Sequence, residues 1–244
     1  RDASGGGSAT LSEGSRQGRS GMSERDRLIA TLNLKKADLD RLAAYEALVH
    51  KWSSVKNLVS ALALKELWVR HLLDSAQVQR ALPKVKLWAD LGSGGGFPGL
   101  VTAILLAEDP QAHVHLVESD GRKCAFLRAV SRETGLRTTV HHARIEDVAG
   151  ELTGIEAVSA RALADMDQLV EWSFPLLEKG AIGVFLKGKG HRDELTNLTR
   201  DSRFNIDLRP SISQSDGAIV LVTKRDLSDG DSREYSGNAG FGSR

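Results

Sequence analysis

The stretch Leu87-Trp88-Ala89-Asp90-Leu91-Gly92-Ser93-Gly94-Gly95-Gly96-Phe97-Pro98-Gly99-Leu100 decides the fold. It reads as a short apolar strand ending in an acid, a glycine-dense turn, and a helix that begins at a proline. Glycine lets backbone N–H groups crowd against a ligand and takes positive φ without a Cβ clash. Proline at a first helical position loses nothing, because that N–H has no intrahelical partner. Strand, glycine turn and helix N-terminus together are how α/β proteins hold nucleotide-like ligands. A glycine-rich surface loop with no ligand is the plain alternative, and the close flanking strand and helix argue against it.

Two glycine frames overlap in this stretch. Gly94 to Gly99 satisfies G-x-G-x-x-G, the dinucleotide fingerprint, which in isolation is weak evidence. Asp90 to Gly96 satisfies acid-x-G-x-G-x-G, which resembles the first motif of Rossmann-like S-adenosyl-L-methionine methyltransferases. The fingerprint wants its first glycine directly after the strand, and that residue is Gly92. An acid at the strand end repels a pyrophosphate but suits a ligand bearing an ammonium and a sulfonium. S-adenosylmethionine is therefore favoured, with a dinucleotide kept as the alternative.

Working outward, the alternation is regular. After a helix over Gly99–Ala107, a strand runs through Ala112–Glu118, and a basic amphipathic helix covers Arg122–Thr134. Strands then follow at Thr138–His141, Ile155–Ser159 and Gly180–Leu186, with helices near Asp165–Leu177 and Asp193–Arg200. Phe204–Leu208 and Ala218–Thr223 finish as a hairpin-like pair. Strands separated by helices mean a mostly parallel sheet, here of seven strands, covered on both faces with right-handed crossovers. The expected fold class is α/β with an N-terminal helical extension, and the glycine frame's resemblance to Rossmann-like class I methyltransferases implies that fold.

Upstream, Leu28, Ile29, Leu32, Leu34, Leu39, Leu42, Tyr45, Leu48 and Val49 recur at helical spacing. A second helix is expected from Leu62 to about Leu82. Residues 26–84 are thus expected to form a helical cap on a Rossmann-like, methyltransferase-type domain at 85–225. Residues 1–25 and 226–244 are expected to be a disordered leader and tail. The first 21 residues hold six glycines and five serines and are almost devoid of apolar side chains, too little to offset ordering entropy.

Composition excludes several classes. The 244 residues are 41% hydrophobic and 27% charged, with a formal net charge of +1, an ordinary soluble globular balance. No run approaches the ~18 apolar residues of a membrane span, and no signal peptide heads the chain. The single cysteine, Cys124, rules out a disulfide framework and a Cys-rich zinc site and fits a reducing cytoplasm. No metal is expected, and a monomer is. A nucleic-acid partner would have to meet a local basic patch.

In an open α/β sheet, ligands collect beyond the carboxyl ends of the strands. Glu118 ends the second strand, where an acid can accept both ribose hydroxyls of an adenosine, although an acid there also suits a helix N-terminus. In Rossmann-like methyltransferases the turn after the third strand covers the adenine, so Ala143-Arg144-Ile145-Glu146 is a candidate. Ile145 would be an apolar face and the Ile145–Glu146 backbone a polar edge; a plain solvated loop is the equal alternative. Arg161 follows the fourth strand, where it either faces burial with a charge that needs a partner or is a surface arginine. His71 and Asp74 can share a helical face, and a satisfied structural histidine is the plain alternative for His71. Lys187, Lys189, His191 and Arg192 make a basic loop on the cofactor side, and Lys187, Lys189 and Arg192 are the candidate contacts to RNA phosphates. The chain lacks the [DN]-P-P-[YFW] motif of exocyclic-amine methyltransferases. Its Cys124, on the helix after Glu118, is read as a small buried hydrophobe and not a nucleophile.

Several motifs in order carry a closer resemblance. Asp90-Leu91-Gly92-Ser93-Gly94-Gly95-Gly96-Phe97-Pro98-Gly99 resembles the glycine loop of the bacterial small-subunit ribosomal RNA methyltransferase G family, notably in its Phe-Pro-Gly ending. Trp52…Asn57-Leu58-Val59, Arg70-His71-Leu72-Leu73-Asp74-Ser75, Val158-Ser159-Ala160-Arg161-Ala162 and Leu186-Lys187-Gly188 are similar to further motifs of that family. The departures are Ser53 for asparagine, Val59 for threonine, and one residue inserted between Ser159 and Arg161. The resemblance implies methyl transfer from S-adenosyl-L-methionine to N7 of a guanosine in the decoding-region loop of 16S rRNA, in the cytoplasm, on the small ribosomal subunit or a precursor. A methyltransferase with another substrate, or a non-catalytic RNA-binding factor keeping the pocket, are the alternatives. It also implies that Gly92, Phe97, Ile145, Glu146 and Arg161 contact the cofactor. Ser93, Gly94, Gly96 and Glu118 join them from the loop and spacing, and Arg161 and His71 are the catalytic candidates. Guanine N7 carries an in-plane lone pair, so no general base is needed. Catalysis then rests on aligning N7 and the methyl at about 3–3.5 Å.

Overall fold

In a computed structural model, residues 23–56 and 66–225 are described. The expected leader and tail fall almost wholly outside these residues, as do Asn57-Leu58-Val59 and the start of the second helix. Ser23 caps the first helix, α1 (Glu24–Thr31), its Oγ accepting from Asp26 N at 3.1 Å. The first described helix thus starts slightly before the anticipated boundary at residue 26. α2 (Lys36–Lys56) follows. A π-helical segment, Leu67–Leu73, then runs directly into α3 (Asp74–Ala81).

Seven strands make one sheet in the order β3-β2-β1-β4-β5-β7-β6. They are β1 (Leu87–Leu91), β2 (His113–Glu118), β3 (Thr138–His142), β4 (Ala157–Arg161), β5 (Ile182–Lys187), β6 (Phe204–Pro210) and β7 (Ala218–Lys224). The first five are parallel, and β7 is antiparallel to β5 and β6. The helices between them are α4 (Gly99–Leu105), α5 (Gly121–Thr134), α6 (Ile145–Val148), α7 (Met166–Leu177) and α8 (His191–Leu198). Because β1 lies between β2 and β4, the winding reverses there and a crevice opens above their carboxyl ends.

Strand β1 explains the layering. Its side chains alternate, so Trp88 enters one core and Ala89 and Leu91 the other, all three fully buried. The first core includes Leu42, Tyr45 and Val49 of α2, Leu100 of α4 and Phe126 of α5. The second joins Ile145, Met166, Leu169, Phe185 and Val220. The N-terminal helices therefore complete one face of the sheet. Among the described residues no helix is long and apolar enough to cross a membrane.

Among the boundaries that differ from expectation, three bear on the site. Pro98 is the N-cap of α4, and Gly99 is the first helical residue. Asp90 is followed by Leu91 before β1 ends. Strand β4 begins two residues later than the apolar run at Ile155, which packs in the core ahead of it. Ser159, Ala160 and Arg161 are consequently strand residues.

Candidate active site

The glycine loop is shaped by its backbone. Gly92, Gly94 and Gly96 have φ of +65°, +55° and +97°, values that favour glycine. Ser93 N donates to Val117 O at 2.9 Å, and its Oγ donates to the Asp90 carbonyl at 3.0 Å. Gly94 N donates to Glu118 Oε2 and Asp120 N to Oε1, both at 2.8 Å. Glu118 thereby ties the loop to the end of β2, and the Tyr45 hydroxyl ties it to α2 by donating to the Gly95 carbonyl.

A cavity of about 450 Å³ lies against this loop. It gathers Gly92, Ser93, Gly94, Phe97, Glu118, Ile145, Glu146, Arg161 and His71 from five separate segments of the chain. Gly96 is different. A Cβ there would lie 2.6 Å from Tyr45 Oη and 2.4 Å from Leu100 Cδ1, so its lack of a side chain serves packing, and it is Gly95 that lines the cavity. Lys123, Ser119, Leu163 and Trp172 also line it. Only the tertiary fold reveals them.

Asp90 does not line the cavity. It is fully buried and accepts from Ser159 Oγ at 2.7 Å. Burial pushes its carboxyl up to about 7. Gly99 stands so close that a Cβ would lie 2.5 Å from Asp90 Oδ2. The acid fastens β1 to β4 and admits α4, a different role from balancing a cationic ligand. Cys124 is buried, and its thiol donates to the Glu118 carbonyl at 3.2 Å.

At the opposite wall, Arg161 Nη2 donates to His71 Nδ1 at 2.6 Å. Guanidinium is only a donor, so the ring's proton must sit on Nε2. Burial, then the charges of Arg161 and Arg70, pull His71 down to about 4. Arg161 Nε lies 3.8 Å from Asp74 Oδ2, and the Phe97 ring packs against His71 with centroids 5.3 Å apart. His71 and Asp74 thus meet through Arg161. Asp74 Oδ1 accepts from Ser213 Oγ at 2.6 Å and Gln77 Nε2 at 3.1 Å.

The basic loop does not act as one patch. Lys187 turns inward, where its Nζ donates to Ala164 O at 2.9 Å and pairs with Glu194. Its side chain is only 10% exposed, which corrects its reading as a free phosphate contact. Lys189 and Arg192 are exposed and border a separate surface cleft.

The family model for rRNA small subunit methyltransferase G matches residues 38–215. The chain belongs to that family. Curated relatives named ribosomal RNA small subunit methyltransferase G include one from Parvibaculum lavamentivorans, 50% identical over 79% of this chain and 86% of its own length. Another, from Methylorubrum extorquens, is 45% identical over 82% and 94%. Among solved structures, a methyltransferase from Geobacter sulfurreducens matches with a TM-score of 0.54 and 18% identity, covering 82% of this chain and 96% of its own. The SAH-bound Podospora anserina methyltransferase PaMTH1 matches at 0.56 and 14%, covering 82% and 95%. The fold is that of the class I methyltransferases, and family membership makes this chain a methyltransferase. The three positive-φ glycines of the loop are those of the frame headed by Gly92, and Gly92 and Gly94 of that frame line the cavity.

Proposed function

We propose that this methyltransferase uses S-adenosyl-L-methionine to methylate N7 of a guanosine in the decoding-region loop of 16S rRNA, in the small ribosomal subunit or a precursor. The single observation that carries the cofactor reading is the clamped glycine loop beside Glu118. The loop presents backbone without Cβ atoms at Gly92 and Gly94, and a Cβ at Gly92 would lie 2.5 Å from Leu163 Cδ1. Glu118 accepts one N–H on each oxygen, which leaves lone pairs for the two ribose hydroxyls. Ile145 offers an apolar surface to the adenine and the start of α6 a polar edge. When bound, the group supplies a methyl made electrophilic by its sulfonium.

The substrate comes from the relatives' names, and the chemistry of the opposite wall suits it. N7 needs no deprotonation, and the wall carries a neutral His71 held by Arg161 in place of a base poised near neutrality. Arg161, between His71 and Asp74, orients the acceptor and answers charge developing on the purine. Lys189 and Arg192 are proposed to meet phosphates, which position RNA without reading sequence. The test is incubation with methyl-labelled S-adenosylmethionine and small-subunit rRNA, free or in particles, followed by nucleoside analysis. Label on guanine N7 is expected. Label on another atom refutes the substrate, and no label with intact cofactor binding points to an RNA-binding factor.

A further inference from the structure

A second cavity, of about 270 Å³, adjoins the first and shares Arg161 and Ala162 with it. It sits where β4 and β5 end, with Asp74, Lys187, Glu194 and Ser211 in its wall. Ala162 has φ of +50°, a conformation a non-glycine residue holds at some cost. That turn places the shared pair as a partition between the two spaces.

The charges in this wall cancel: Asp74 and Glu194 against Arg161 and Lys187. A phosphate would find two carboxylates as well as two cations, whereas a neutral heterocycle with donors and acceptors finds partners for both. One donor is conspicuous. Arg161 Nη1 is buried without a hydrogen-bond partner among the described residues, a state that costs free energy unless a ligand supplies an acceptor. Next to it, Asp74 is held from behind by Ser213 and Gln77 on Oδ1, with Oδ2 turned toward Arg161.

We infer that this second cavity receives the target base, with Arg161 Nη1 donating to guanine O6 and Asp74 accepting from N1–H and the 2-amino group. The inference rests on the guanine-N7 reading above and gives it a specificity device. On guanine, O6 lies between N7 and N1–H. A donor for O6 must therefore stand between the methyl source and the acceptor for N1–H. Arg161 stands there, in the wall common to both cavities, with Asp74 on its far side. Adenine reverses both contacts. Its 6-amino group would face a guanidinium and its N1 lone pair a carboxylate, so the pocket rejects it twice.

The experiment uses the full-length protein and small-subunit particles whose 16S rRNA carries guanosine, inosine or adenosine at the methylated position. Inosine keeps N7, O6 and N1–H but lacks the 2-amino donor. The wild-type protein is expected to prefer guanosine over inosine by about tenfold in kcat/KM, the loss of one hydrogen bond to a charged acceptor, and to leave adenosine unmethylated. Asp74→Asn should bring the guanosine-to-inosine ratio to within about twofold of one, with S-adenosylmethionine affinity by calorimetry unchanged. Ser213→Ala leaves the carboxylate and loosens it, and should narrow the same ratio by about two- to threefold, which keeps the test alive if the first variant folds poorly. A wild-type ratio near one, or variants that retain the wild-type ratio, would overturn the base pocket while N7 methylation itself stands. Label on an atom other than N7 would remove the functional reading and this inference with it.

Discussion

Two glycines of one loop should fail in different ways when given the same methyl group. Gly96→Ala places a Cβ 2.4 Å from Leu100 Cδ1 and 2.6 Å from Tyr45 Oη, at a φ of +97°. The backbone strain costs on the order of 1–3 kcal/mol. Overpacking against a buried leucine and the hydroxyl that anchors Gly95 adds about 1–3 kcal/mol. Together they approach about 4 kcal/mol, a large share of the 5–15 kcal/mol typical of a domain. Gly94→Ala meets nothing nearer than Gly92 O at 3.7 Å, at a φ of +55°, so its stability cost is about 1–2 kcal/mol. Gly94 lines the large cavity, however, and its added methyl should weaken S-adenosylmethionine binding by about tenfold or more, through lost close approach. Urea denaturation and calorimetric titration of both variants separate the two effects. Equal destabilisation by the two substitutions, or undiminished cofactor affinity in Gly94→Ala, would refute this division of labour.

Three further outcomes are expected. The folded protein holds the Asp90 proton to about pH 7, against 3.8 for an unperturbed aspartate, so this group's contribution to stability falls as pH rises from about 4 to 7. The stability difference between wild type and Asp90→Asn should decline over that window by up to about 4 kcal/mol, and a flat difference would count against the buried carboxyl. With His71 depressed to about 4, turnover should show no inflection near pH 6.5 from this residue; an inflection there that disappears in His71→Gln would show a titrating histidine. Replacing both Lys189 and Arg192 by alanine should lower the salt dependence of RNA binding by a slope of about 2, one per phosphate contact, and an unchanged slope would place the phosphates elsewhere.

What could be read from the chain followed the range of the interactions involved. The β1-loop-α4 unit was legible because strand, turn and helix are adjacent and each announces itself locally, by apolar run, glycine or proline. Glu118, Ile145 and Glu146 were legible because strand ends in this topology converge on one crevice. Gly95 and Gly96 exchanged roles, because the hydroxyl that decides between them belongs to Tyr45, 50 residues away. In the sequence Tyr45 is one more apolar position on a helix. Lys187 looked like a solvated cation because its partner Glu194 lies beyond a turn and on the next helix. Asp90 lies near the strand end as expected, but it is buried away from the cavity and bonded to Ser159 on the neighbouring strand β4, a partner that only the sheet order reveals. Arg161 was found, but its partners His71 and Asp74 sit some 90 residues earlier, and only folding joins them.

The bond from Tyr45 to Gly95 also has a thermodynamic consequence. It couples helix α2 to the glycine loop, because that contact is lost when either end is disordered. A ligand that quiets the loop is then expected to slow hydrogen exchange in α2 around Tyr45, and by linkage whatever holds Tyr45 in place favours that ligand by the same factor. The N-terminal helices are in this sense half of a lever whose other arm is the cofactor loop.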